Sequence, residues 1–521
     1  MTRQIRPSAT STAGINAEGA RASVSGRPPS ASGRRFRPGL VFAALALGAM
    51  GAALLQAMVA PALRTIQLDL GTSTTGASWI LTAFLLSASI ATPIAGRLGD
   101  MFGKKRVLVI ALAATAAGVV ISAVAKSLDL LIVGRVVQGF SPALIPLAIG
   151  IIRDEFPSER VPARIALISA TLGVGGGLGI VLAGPIVQHL SYHWLFWAPL
   201  VVLLVAMAGA QLFVPESPLR VPGRVDWVGA VLLAGWLVAL LLAVSQGQSW
   251  GWTSGRIIAL FAAAVVLAVT WILVERRSSE PLVDMHMMQL RAVWTTNTAT
   301  ALIGASMFAL FFLVPQLVEL PKSTGYGFGA SITQAGLFLL PSTITMLLFS
   351  FVAGRLTSTV GPKLPLVLGA AVAAAAFVML AVAHGQRWEI YAATALQGAG
   401  LGLAFSAMAN LIVAAVPPEQ TGVATAMNTV MRTIGGSIGS TVAAVILTSS
   451  LAAGGLPKEH SFTLAFVVVA VGLGAAVVAA LAVPKARAET RALSPRPQRT
   501  GELASRRARR DGQPGIERGA A

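Results

Sequence analysis

The chain has 521 residues, of which 55% are hydrophobic and only 11% are charged. Typical soluble domains contain about 25% charged residues, so this composition excludes an ordinary soluble protein and indicates a membrane protein. The absence of cysteine excludes disulfides, thiolate zinc sites and cysteine nucleophiles. Of the formal net charge of +19, residues 1–38 and 484–521 contribute +6 each. We predict that these are disordered basic cytoplasmic tails near anionic lipid, not nucleic-acid-binding segments.

Fourteen apolar stretches follow one another between the tails. A helix needs about 20 apolar residues to cross a membrane, and in lipid it must satisfy its own backbone hydrogen bonds. The sequence therefore predicts an all-α integral membrane protein with fourteen transmembrane helices, numbered here as spans 1 to 14, at residues 39–61, 76–97, 107–125, 128–152, 165–189, 194–214, 226–246, 257–275, 292–317, 329–354, 364–384, 389–414, 421–449 and 461–483.

The distribution of lysine and arginine predicts the orientation of the spans. If both termini are cytoplasmic, five inner loops carry two to four basic residues each, and no outer loop carries more than one. Only the inner loop between spans 12 and 13 adds nothing to this bias. The positive-inside rule therefore favours a multi-pass membrane protein with both termini cytoplasmic, which we expect to lie in the plasma membrane (the inner membrane in a cell with two).

Three short sequence features occur twice in the same order. The second copies follow 258 to 260 residues after the first, in the pairs Gly96-Arg97-Leu98 and Gly354-Arg355-Leu356, Gln138-Gly139 and Gln397-Gly398, and Gly175-Gly176 and Gly435-Gly436. They pair span 2 with 10, 4 with 12 and 5 with 13. An even shift of eight helices indicates two halves of the same sense, related by an axis along the membrane normal. We predict a 6+2+6 arrangement of 39–214, an inserted pair 226–275, and 292–483.

The connection between spans 2 and 3 is a candidate gating loop. Its glycines suit tight turns and close helix approach. Asp100 lies four residues before Lys104 and can pair with it, or it can meet a helix N-terminus in the other half, where a carboxylate is favoured. The alternative is an ordinary basic inner loop. The residues of interest are Gly96, Asp100, Gly103, Lys104, Lys105 and Arg106.

Arg135 lies inside span 4. A charge at a helix centre costs about 2.5–3.5 kcal/mol on insertion scales, which makes it a candidate functional residue. The alternative is an arginine that extends to the membrane surface from the outer end of the helix. For Arg432, in a glycine-rich turn of span 13, the options are an interhelical hydrogen bond, a substrate contact or a position facing the cytoplasm. The coupling or substrate candidates are Arg135, Gln138, Gln56 and Asn428.

Span 5 is rich in glycine. Small residues let helix backbones approach closely, so plain helix packing explains the pattern, and such an interface can also rock. The residues of this glycine motif are Gly175, Gly179, Gly184 and Pro185.

These segments resemble signatures of the major facilitator superfamily: the loop G-x-L-x-D-x-x-G-x-[RK]-[RK], an arginine motif of span 4 linked to proton coupling, and, in part, the antiporter motif of span 5. Together with fourteen spans and a 6+2+6 repeat, the chain resembles the fourteen-helix drug/proton antiporter family (EmrB/QacA type) over about residues 40–483. The resemblance implies a multidrug-type exporter of amphipathic small molecules that works by alternating access and proton antiport. Its partners would be membrane lipid, substrate and protons.

The chain departs from that family in span 1, where Leu55 occupies the position of the family's aspartate. Arg135 therefore lacks its usual acid, although Gln56 and Gln138 could hydrogen-bond to it. Without an intramembrane acid to attract cationic drugs, we expect neutral, zwitterionic or anionic amphiphiles as substrates. Two alternatives stay open: a uniporter or a lipid or metabolite exporter, and a non-transporting accessory membrane protein. We expect no enzymatic activity, catalytic residue, cofactor, metal or nucleic-acid partner.

Overall fold

The computed structural model describes residues 37–217, 226–451 and 455–484. Fourteen helices within these ranges are long and apolar enough to cross a membrane. The same residues form no strand, and their extended pairing is limited to one isolated bridge between Leu451 and Pro457. The predicted tails lie almost wholly outside the described residues.

The spans end within a few residues of their predicted limits. Serine side chains cap several of them, as when Ser73 accepts a hydrogen bond from the N–H of Gly76 at the start of span 2. The observed helices, from span 1 to span 14 with span 4 in two parts, are Pro38–Val59, Thr74–Phe102, Lys104–Ala123, Leu128–Val137 with Leu144–Glu155, Val161–His189, Trp194–Phe213, Trp227–Trp250, Gly255–Arg277, Arg291–Glu319, Ile332–Val360, Lys363–Val382, Arg387–Ala415, Thr421–Ser449 and Glu459–Ala482.

Span 4 is not the continuous helix predicted over 128–152. A 3₁₀ segment, Gln138–Ala143, separates its two α-helical parts. Pro142 explains the interruption, because proline has no N–H to donate to the carbonyl four residues earlier, here that of Gln138. Two short helices, Leu63–Asp69 and Met285–Gln289, also lie outside the predicted spans.

Buried apolar side chains form three clusters. The first draws mainly on spans 1 to 6, and the second mainly on spans 9 to 14. The third joins span 7 and the segment before span 9 to spans 12 and 13. Span 8 packs on span 7, while its Val265 and Val266 side chains remain exposed.

Two long seams connect the helices before span 7 with those after span 8. In the 2–13 seam, span 2 packs against span 13, and in the 5–10 seam, span 5 packs against span 10. The chain order puts the start of span 13 beside loop 2–3, at what we call the loop 2–3 end. The start of span 10 lies beside the end of span 5, at the opposite end.

Candidate functional site

Asp100 links loop 2–3 to the other half of the chain. Its carboxylate accepts hydrogen bonds from the backbone N–H groups of Gly422 and Val423, at 3.1 and 3.0 Å. These residues begin the span 13 helix, where N–H groups lack partners within the helix and the helix dipole favours a negative charge. Asp100 therefore makes the predicted contact with a helix N-terminus of the other half.

Lys104 is buried between two carboxylates. Its Nζ lies 3.6 Å from Asp100 and 2.7 Å from Asp154, and all three side chains are sealed from solvent. The hydroxyl of Ser217 also donates to Asp154. Because a buried charge needs partners, Lys104 fixes Asp100 relative to the end of span 4.

Two glycines of loop 2–3 occupy positions that a larger residue would disturb. A Cβ added at Gly96 would lie 2.7 Å from the carbonyl oxygen of Gly422, so only glycine allows spans 2 and 13 to approach this closely. Gly103 has a φ of +106°, a backbone conformation that favours glycine. The other two basic residues of the loop contact residues at or just beyond the end of span 6. Lys105 donates to the carbonyl of Gln211, and Arg106 lies 3.4 Å from Glu216.

Arg153 adds a second link across the loop 2–3 end. Its guanidinium donates to Thr421 Oγ1 at 2.6 Å and to the carbonyls of Val416 and Pro417 at 2.9 and 3.2 Å. Sequence reasoning counted Arg153 only as a basic loop residue. The feature of the sequence that could have indicated a further role for Arg153 is its position directly before Asp154, at the end of span 4. We call Asp100, Lys104, Arg153 and Asp154, with their partners in 416–423, the latch.

Arg135 is fully buried, and its guanidinium interacts mainly with its own half. Its Nε donates to the carbonyl of Ile80 at 3.1 Å, one terminal nitrogen donates to Gln138 at 2.7 Å, and the Phe84 ring lies 4.2 Å away. Gln138 in turn donates to Ser122 and to the Gly118 carbonyl. No carboxylate among the described residues pairs with Arg135, and its other terminal nitrogen has no hydrogen-bond partner. Arg135 therefore does not extend to the membrane surface.

The four coupling or substrate candidates do not form one site. Arg135 and Gln138 are hydrogen-bonded, but no hydrogen bond joins either of them to Gln56, which is half-buried on span 1. Asn428 lies on span 13 and donates to Asn297 and Thr300 of span 9, at 2.8 Å each. The structure therefore divides the candidates between a buried group around Arg135 and a separate amide and hydroxyl cluster.

The glycines of span 5 serve two different faces. A Cβ at Gly175 or Gly179 would lie 2.8 Å from an alanine Cβ of span 1, so these two glycines allow packing within one half. A Cβ at Gly184 would contact Thr333 of span 10, which also donates to Gln188 at 3.2 Å. Pro185 lies inside a helix that continues to His189. The motif thus contributes to both helix packing and the 5–10 seam.

Comparisons with known proteins agree with this architecture. The family model described as Major Facilitator Superfamily matches residues 45–226 and 298–514. The tetracenomycin C resistance and export protein of Streptomyces glaucescens is 31% identical over 408 residues, covering 76% of this chain and 73% of that protein. Multidrug resistance protein 3 of Bacillus subtilis is 29% identical over 312 residues, which make up 60% of each chain.

A solved structure shares the fold. The human organic anion transporter MFSD10 (TETRAN) superposes with a TM-score of 0.56, covering 84% of this chain and 98% of that one, at 17% sequence identity. At this identity the likeness concerns the fold alone. The predicted all-helical architecture with fourteen spans is thus confirmed, and the chain belongs to the major facilitator superfamily, in its drug-efflux branch, as a transporter and not an enzyme.

Proposed function

We propose that this protein exports amphipathic small molecules across the plasma membrane by alternating access. The observation that carries the proposal is the latch, in which Asp100 and Arg153 of one half hold backbone groups of the other. The names of the multidrug and tetracenomycin C export relatives support the direction of transport and the class of substrate.

The chemistry of the latch suits a reversible closure. Hydrogen bonds to charged groups contribute about 1.5–3 kcal/mol each, enough to favour one conformation without making it permanent. When the latch releases, the halves 39–214 and 292–483 rock about the 2–13 and 5–10 seams, and access changes from one face to the other. The basic loops support a cytoplasmic position for the loop 2–3 end, and therefore cytoplasmic termini.

We further propose that proton entry drives export, as the family resemblance implies. A second candidate, uniport or lipid or metabolite export without proton coupling, is favoured by one observation. Leu55, at the position of the family's aspartate, is fully buried among apolar residues, and Arg135 has no acidic partner among the described residues. If antiport operates, its proton carrier is a group other than residue 55.

The deciding experiment uses the full chain in sealed lipid vesicles, with an imposed pH gradient, a panel of fluorescent amphiphiles and a pH-sensitive dye in the lumen. Proton antiport predicts substrate movement that requires the gradient and a proton flux that requires substrate. Movement that ignores the gradient supports the second candidate. No movement of any probe, in vesicles whose protein melts cooperatively, contradicts export.

Two variants make this experiment sharper. Leu55→Asp restores the family's acid, and a gain of proton flux there would show that the rest of the route is intact. Arg256→Gln removes a charge from the exposed start of span 8 and is the matched control, expected to behave as wild type.

A further inference from the structure

Arg432 is a second arginine inside the helices, and its surroundings differ from those of Arg135. It lies near the middle of span 13, whose helix is Thr421–Ser449, and not at either end of that helix. Its guanidinium carbon lies 5.3 Å from the centre of the Phe405 ring on span 12. A Cβ added at Gly304 of span 9 would lie 3.0 Å from Arg432 Cγ, so this glycine lets the arginine stem lie against span 9.

The guanidinium of Arg432 has no hydrogen bond or ion pair with any described residue, and the side chain is half-buried rather than sealed. A guanidinium carries five N–H donors and remains charged. Holding it inside a membrane helix costs about 2.5–3.5 kcal/mol on insertion scales. Because Arg135 is fully buried and hydrogen-bonded within its own half and Arg432 is neither, Arg432 rather than Arg135 is free to bind a ligand.

The neighbours of Arg432 combine a charge with apolar walls. A Cβ at Gly436, one helical turn further along span 13, would contact the half-buried ring of Phe308 on span 9. Asn428, one turn earlier, is held by Asn297 and Thr300. A planar guanidinium matches a carboxylate in a bidentate geometry, and the aromatic rings suit an apolar body.

We propose that Arg432 binds the anionic group of an amphipathic substrate, a carboxylate or an ionised phenol, while Phe405 orients the guanidinium and Phe308 contacts the apolar part. This inference rests on the proposed export function and narrows its substrate class. The same inference assigns anion recognition to span 13. Arg135 then has the role of holding together the helices of its own half through its hydrogen bonds to Ile80 and Gln138.

Binding is tested directly on the full chain in nanodiscs of zwitterionic phosphatidylcholine, which has no net charge, with empty nanodiscs as background. The probes are pyrenebutanoate and its neutral methyl ester, which differ in the charge that Arg432 would recognise. We expect wild type to bind the carboxylate at least tenfold more tightly than the ester, and Arg432→Gln to abolish this preference. Arg432→Lys should retain part of it, and the control Arg256→Gln all of it.

The outcomes separate the inference from the proposed function. Equal affinity of wild type for both probes, or an unchanged preference in Arg432→Gln, overturns the anion site. If Arg432→Gln does not fold, Arg432→Met is used in its place. The preference of wild type for the carboxylate over the ester tests the anion site in either case. The same proteins are then assayed for transport of both probes in vesicles. A charge preference in binding without movement of either probe contradicts export and leaves the anion site intact.

Discussion

Loop 2–3 and loop 10–11 are copies of one sequence feature with different structural roles. In the first copy Asp100 reaches the N-terminus of span 13 in the other half. In the second copy the corresponding residue, Ser358, is exposed and its hydroxyl donates to the carbonyl of Arg355 in its own helix. Repetition of a pattern therefore does not imply repetition of a function. Among the described residues, the carboxylate link to a helix N-terminus of the other half is present at Asp100 and has no counterpart at Ser358.

The largest effect on opening at the loop 2–3 end is expected for Asp100→Asn. This substitution removes the negative charge to which the N–H groups at the start of span 13 donate. Opening is measured in a Ser406→Cys background, by the rate at which the cysteine becomes accessible to a reagent. Ser406 is fully buried. It lies one turn before Asn410, which donates to the carbonyl of Pro162 in the other half. The chain has no other cysteine, so maleimide labelling reads this position alone. We expect labelling to accelerate by about tenfold to a hundredfold. An unchanged rate in a normally melting protein would remove Asp100 from the latch.

Gly96→Ala compared with Gly354→Ala sharpens the difference between the copies. At Gly96 the new methyl group would meet a backbone oxygen at 2.7 Å, whereas at Gly354 the nearest atom would be an alanine Cβ at 3.2 Å. Overpacking typically costs about 1–3 kcal/mol, so Gly96→Ala should accelerate labelling clearly more than Gly354→Ala. Equal rates in the two variants would refute the importance of the close approach of spans 2 and 13.

Arg153→Gln tests the second link of the latch. The residue 259 positions later is Ile412, which is fully buried in an apolar cluster, so the second copy has no equivalent arginine. We expect an increase in labelling rate of about fivefold to tenfold, because Arg153 is partly exposed and its acceptors are neutral. Arg153→Lys, which keeps the charge, should lie between this variant and wild type. A larger effect than that of Asp100→Asn would reverse the order of importance proposed here.

Ser358→Asp, the smallest effect, asks whether restoring the acid also restores a latch in loop 10–11. Because the side chain is exposed and bonds within its own helix, we expect labelling within twofold of wild type and a stability change below about 0.5 kcal/mol. Strong slowing of labelling would mean that loop 10–11 reaches the other half in a second conformation.

The sequence predicted the spans well because hydropathy over 20 residues is a local property. It did not predict the break in span 4, although Pro142 was visible, because proline is often tolerated in membrane helices. One of the two contacts that the sequence predicted for Asp100 was with a helix N-terminus of the other half. This was possible because the loop signature and the charge of Asp100 are also local properties. The domain limits and the roles of the site residues remain predictions.

Contacts between distant parts of the chain were harder to predict. Arg153 reaches residues more than 260 positions later, and only the packing of the two halves brings them together. For Arg432 the sequence left three options open, an interhelical hydrogen bond, a substrate contact and a position facing the cytoplasm, whereas the structure shows that the glycines around it allow close packing of span 13 on span 9. In both cases the sequence shows the neighbours of a charge along the chain, whereas its contacts depend on its neighbours in space.

The inserted pair makes the two seams unequal for a molecule that is dissolved in the bilayer. Span 7 packs against both span 2 and span 13, and its Trp236 belongs to the apolar cluster that covers them. The side chains of Leu178 and Leu182 on span 5 and of Ile344 on span 10 are exposed. In a bilayer these apolar side chains would be available to lipid at one junction between the halves, while span 7 covers the other. For a lipophilic substrate that enters sideways from a leaflet, the junction between spans 5 and 10 would be the one that no inserted helix covers.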